Sequence, residues 1–158
     1  MPLRLLFAAA LALAACAELE AAELPPGAAL LPASEARDML RQCSRAAPEP
    51  GEDGWRPSAE HIAALESGLP AALAAQRRAE DLDWSRAPQG WHRQYVGIVR
   101  DDRRYIYGNF FPDDMGHRDP DRWLSETVMV CDGGPAFFGV EYDVEAGRFT
   151  HFGFNGGA

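Results

Sequence analysis

Residues 137–143 read FFGVEYD, and their alternation decides the fold. In an extended chain Phe138, Val140 and Tyr142 share one face while Gly139, Glu141 and Asp143 share the other, the pattern of a half-buried strand. Downstream, 148–154 (RFTHFGF) is again rich in aromatics and follows Glu145-Ala146-Gly147, so the two segments read as a hairpin. Upstream, 95–99 (YVGIV) and 104–111 (RYIYGNFF) flank Arg100-Asp101-Asp102-Arg103 and read as another. Between the hairpins lie a loop over 112–123, a third strand near 127–131 and a turn at Gly133-Gly134-Pro135.

Before residue 88 the grammar is helical. Ser34 offers an N-cap, and Ala36, Met39, Leu40 and Cys43 recur on one face, which predicts a helix over 35–44. Ser58 offers a second cap ahead of the stripe Ile62, Leu65, Leu69, Leu73. Gly68 and Pro70 interrupt that stripe, because a proline pushes the residue before it away from helical angles. The expectation is two helices over 59–67 and 70–79, or one kinked helix. Helices first and strands second give an α+β domain: two or three N-terminal helices packed on one face of a roughly five-stranded antiparallel meander sheet.

The N-terminus carries an address. Residues 1–15 hold one charge, Arg4, and an apolar run too short to span a bilayer, which reads as a signal peptide. The run ends in Leu13-Ala14-Ala15-Cys16, which resembles the lipobox of bacterial lipoproteins. That resemblance implies a lipidated Cys16, membrane contact through the anchor, and, with Ala17 instead of aspartate next, an outer-membrane lipoprotein facing the periplasm. Ordinary cleavage after Ala17 or Ala22 would instead release a soluble periplasmic or secreted protein, and a chain kept in the cytoplasm would hold free cysteines. Residues 16–32, with Pro25-Pro26-Gly27, read as the lipidated cysteine and a flexible tether, leaving 33–158 as a single domain. With Cys16 lipidated, Cys43 and Cys131 remain and are expected to pair in an oxidising compartment, pinning the first helix to the end of the third strand.

All fifteen basic residues are arginine, which removes lysine nucleophiles and Schiff bases from consideration. A net charge of −9 argues against nucleic acid as a partner and against direct contact with anionic lipid.

Chemistry-bearing residues are sparse. Asp113, Asp114, Asp119 and Asp121 stand with His117 in one loop, as a hard cation would want. Their spacing fits no EF-hand and Arg118 and Arg122 supply countercharge, so the loop reads as solvated, with no metal or cofactor expected. Asp132-Gly133-Gly134 could form an anion nest but is explained as a tight turn. His151 or His117 with Asp132 or Asp113 would be the acid and base of a small periplasmic hydrolase. Zinc-protease, phosphate-loop and dinucleotide motifs are missing from the sequence. Among the aromatics, Trp91, Tyr105 and Tyr107 are the candidates for a semi-exposed binding face, since tyrosine offers area with a polar end.

Three blocks, RRYIYGNFFP (103–112), VCDGGPAFFGVEYD (130–143) and FGFNG (152–156), resemble small uncharacterised lipoproteins and secreted proteins of Gram-negative bacteria. The resemblance covers the C-terminal half and implies no catalytic residues. The expected function is therefore a non-catalytic envelope lipoprotein that binds a protein or envelope component through its aromatic sheet face or the 112–123 loop. The alternative is the small hydrolase.

Overall fold

In the computed structural model, which describes residues 23–76, 82–115 and 121–157, eight elements follow one another. They are β1 (Ala28–Leu30), α1 (Ala36–Leu40), β2 (Asp53–Trp55), α2 (Ala59–Ala74), β3 (Trp91–Arg100), β4 (Arg103–Pro112), β5 (Phe138–Asp143) and β6 (Arg148–Phe154). The 1–15 segment expected to be a signal peptide, together with Cys16, His117 and Asp119, lies outside the described residues. Among the described residues no helix is long and apolar enough to cross a membrane.

The spine is the β3–β4 hairpin, paired from Trp91↔Pro112 to Arg100↔Arg103. Its turn is built by Asp101 and Asp102 at φ 52° and 58°, the left-handed pair that matches the twist of a tight hairpin. Antiparallel β5 and β6 continue the sheet from β4, with a bulge between Glu141 and Tyr142. At the opposite edge β1 pairs parallel with 93–95 of β3 and β2 pairs antiparallel with 97–99, so two three-residue strands share one edge. The structure thus corrects the expected fold class. It is a mixed six-stranded sheet with two helices, not helices laid on a five-stranded antiparallel meander.

The helical expectations change accordingly. The first helix is a single turn and a half, because Arg41 leaves helical angles (φ −86°, ψ 46°) and Gln42 Nε2 turns back to donate to Met39 O. The second is one continuous helix through Pro70, capped by Ser58 and His61, whose side chains and backbone amides bond reciprocally. Ile62, Leu65, Leu69 and Leu73 are all fully buried, so the packing of this stripe outweighs the proline's missing donor. The stretch read as tether contributes β1.

Each face of the sheet carries its own core. Under α2 lie Tyr95, Ile106, Phe110, Phe138, Val140 and Phe154, with Trp84 closing one end. Phe110 and Phe138 stack with centroids 4.5 Å apart. On the opposite face Met39 of α1 and Trp123 pack on Val96, Ile98, Tyr105, Tyr107 and Phe111. The segment expected as a third strand, 127–131, pairs in no ladder. It crosses this second face, and side-chain amides take the place of strand partners.

Gln94 Nε2 donates to Trp123 O and Glu126 O (2.6 and 2.7 Å), and its Oε1 accepts from Val128 N (2.9 Å). Asn109 Nδ2 donates to Val128 O at 2.9 Å, and Asn155 Nδ2 donates to Val130 O and Asp132 O at 2.8 Å each. A disulfide joins Cys43 to Cys131 with Cα atoms 5.3 Å apart. It links the chain just after α1 to this covering segment, not a helix to a strand end as expected.

Candidate functional site

At the edge where β1 meets β3, the side chains of alternate β3 residues point toward α2. Arg93 is one of them. Its Nε and Nη2 donate to the two carboxylate oxygens of Glu66 on α2 (2.8 and 3.1 Å), and its Nη1 donates to Trp91 O at 3.1 Å. Tyr95 Oη donates to the same Glu66 carboxylate at 2.9 Å. The group is largely buried. Burial works against the charged guanidinium, yet the bonds and charge of Glu66 outweigh it and hold Arg93 above its ordinary value. Burial, with the Glu66 charge adding to it, pushes the Tyr95 hydroxyl far up. Gly27, at φ 81°, lets the chain pass beside this cluster: a Cβ there would lie 2.8 Å from Arg93 Nη1.

Above this floor opens a cleft of about 490 Å³, walled by Pro25, Pro26 and Pro88 and reached by Gln89, Trp91 and Asp113. The Trp91 indole is fixed by its Nε1–H donating to Ala136 O at 2.8 Å and by stacking on Trp84, centroids 5.5 Å apart. Asp113 is exposed, and its backbone N–H donates to Gly90 O at 3.1 Å, tying the start of the 112–123 loop to the cleft rim. Three prolines and a hydrogen-bonded ion pair line this cleft beside Trp91 and the exposed Asp113 carboxylate.

Among the candidate residues, Trp91, read for a binding face, and Asp113, read as an acid, base or metal ligand, line one cleft. The others lie elsewhere. Tyr105 and Tyr107 do not form a semi-exposed face: both are buried on the second face, beneath α1 and the segment from Trp123. His151 Nε2 is 3.0 Å from Ala46 O, and Asp132 meets Ser44 through its own backbone N–H, 3.0 Å from Ser44 Oγ. His92 also borders the cleft, but its ring stacks on Trp123 with centroids 4.2 Å apart. Asp114 and Asp121 are exposed, and no group of three or more His, Cys, Asp or Glu capable of holding a metal occurs among the described residues.

Two polar groups escaped the sequence reading. Glu66 lies four residues after Ile62 and three before Leu69, hence on the buried face of α2, and that placement was the available signal. Gln94 and Asn109 share strand faces with Val96 and Tyr107, so alternation alone marked them as inward-facing. With them is Arg45, buried on the second face. Its Nη2 donates to Asn109 Oδ1 and its Nη1 to Asn155 Oδ1. Its Nε and the neighbouring Tyr107 hydroxyl are buried together and form no well-aligned hydrogen bond, though the two groups interact. Burial holds the Arg45 guanidinium below its ordinary value and pushes the Tyr107 hydroxyl above its own. Gly139 is required beside them, since a Cβ there would lie 2.2 Å from Tyr107 Oη and 3.2 Å from Arg45 Nε. Compared with known proteins, the chain matches no family model, no curated protein and no solved structure.

Proposed function

We propose that this chain is a non-catalytic binding module of the bacterial cell envelope, lipid-anchored through Cys16, with the Trp91–Asp113 cleft as its contact surface. The carrying observation is the convergence of the fixed Trp91 ring and the exposed Asp113 carboxylate over a floor with no reactive group to spare. Glu66 already accepts three hydrogen bonds there, so it is engaged in structure and not free to move protons. An aromatic wall beside a solvated carboxylate suits a segment of an envelope protein that presents a basic side chain next to an apolar one. The net charge of −9 favours the same class of partner. The lipobox resemblance and the apolar N-terminus support the anchor.

The test has two arms. The full-length chain, expressed in a Gram-negative host, should carry acyl mass on Cys16 and partition into membrane detergent extracts, and Cys16→Ser should stop both. Recovery of the wild-type protein as a soluble species with Cys16 unmodified would sink the anchor. In the second arm, chemical cross-linking in intact envelopes should yield an adduct that Asp113→Arg abolishes at unchanged thermal stability. An adduct of equal yield from Asp113→Arg would remove the cleft from the reading.

A further inference from the structure

Both cysteines of the Cys43–Cys131 disulfide are exposed to solvent. Two residues beyond Cys43 the chain dips inward and buries Arg45, 9 % exposed, against the second face of the sheet. Among the described residues no carboxylate forms an ion pair with this cation. The two oxygens that receive its protons belong to the neutral amides of Asn109 and Asn155, and the Tyr107 hydroxyl beside it, itself held protonated by burial, supplies no full countercharge. A guanidinium taken out of water without a countercharge favours leaving, because amide dipoles replace little of its hydration.

What otherwise holds the segment is slight. Ser44 O accepts from Gly156 N at 3.3 Å, Ser44 Oγ accepts from Asp132 N at 3.0 Å, and Ala46 O meets His151 Nε2 at 3.0 Å. Asp132 and Gly156, two of these partners, lie outside any strand or helix. The sheet behind Arg45 does not depend on it, since β4 and β5 are paired through their own ladder from Tyr105↔Asp143 to Phe110↔Phe138.

We infer that the Cys43–Cys131 disulfide is a reducible latch that keeps Arg45 inside the fold, and that its reduction by a dithiol releases the 43–46 segment and uncovers the polar face around Asn109. The step is a thiol–disulfide exchange. A thiolate of the dithiol attacks one sulfur of the pair, the S–S bond breaks, and a mixed disulfide forms. The second thiol of the reductant resolves it, so the reductant leaves as a disulfide and its two electrons and two protons end on Cys43 and Cys131. Exposed disulfides are the ones open to this attack.

Trypsin reads the latch directly, because it cuts after arginine and Arg45 is shielded while the neighbouring Arg41 is exposed. In the full chain with its disulfide formed, dithiothreitol should raise the rate of cleavage after Arg45 by about tenfold or more, the gain following the population of the open segment. Cleavage at Arg93, inside β3, should stay slow, and the far-ultraviolet circular dichroism should not change. Unchanged cleavage after Arg45, or cleavage after Arg45 and Arg93 rising together as the whole domain unfolds, would overturn the latch. An Arg45→Met variant separates charge from tether by hydrogen exchange: the Asp132 and Gly156 amides, which donate to Ser44, should stay protected after its reduction while those of the reduced wild type do not. Equal loss of protection in the two proteins would overturn the role given to the buried charge.

Discussion

Arg93 of β3 and Glu66 of α2 meet in a two-point ion pair, Nε to Oε1 at 2.8 Å and Nη2 to Oε2 at 3.1 Å, with both side chains nearly enclosed. The pair fixes the helix to the sheet at the floor of the cleft. Removing one member of such a pair leaves the other as a buried charge. Glu66→Ala should therefore cost about 3–5 kcal/mol of unfolding free energy, measured by urea denaturation, whereas removing the exposed Arg122–Glu126 pair by Glu126→Ala should cost under about 1 kcal/mol.

Gln94 stitches the covering segment to the sheet with bonds to Trp123, Glu126 and Val128. Replacing it by methionine keeps the volume and strands those backbone groups. We expect a loss of about 3 kcal/mol and a fall in hydrogen-exchange protection at the Val128 amide, with the β3–β4 ladder amides unaffected.

Alkaline pH should unfold the protein through its buried phenols. Burial raises the Tyr95 and Tyr107 hydroxyls above their ordinary value of 10.0, so the native state holds their protons while the unfolded state releases them. Their contribution is complete below pH about 10 and is lost as pH rises above it. Tyrosinate absorbance should show these two rings titrating together with loss of structure, and a Tyr95→Phe/Tyr107→Phe variant should show a flatter stability curve above pH about 10.

At the β3–β4 turn, Asp102 sits at φ 58°, a conformation that favours glycine. Asp102→Gly should raise the thermal midpoint, with a gain of about 0.5–1 kcal/mol, and Asp102→Val should lower it by about 1–2 kcal/mol.

The long strands are legible because aromatic and β-branched runs between turn residues, with alternation in 137–143, survive burial on both sides: the sequence places β6 at its observed bounds, and β3, β4 and β5 within a few residues. What periodicity does not reveal is what covers each face. Tyr105 and Tyr107 looked available because nothing in 127–131 announces that its Val-Met-Val pattern lies across a sheet instead of within one. Its partners are amide side chains, and those carry no spacing rule. β1 and β2 were missed for a related reason. Ala28–Leu30 and Asp53–Trp55 are three residues long, and their pairing resides in backbone groups that the edge of β3 supplies. Trp91 and Asp113 stand apart in the sequence and carry different expectations. Their meeting follows from the hairpin register Trp91↔Pro112, which becomes readable once the turn at Asp101-Asp102 is fixed.

The shared edge of β3 also orders events during synthesis. A ribosome delivers β1 and β2 before the strand that must receive them, and Ala28 waits 65 positions for Arg93, its partner in register. Until then these segments have exposed amides and no template, while β3 to β6 need only their neighbours to pair. The β3–β4 hairpin should therefore form before β1 and β2 can dock, and until it does the unpaired N-terminal half is where a chaperone would have most to protect.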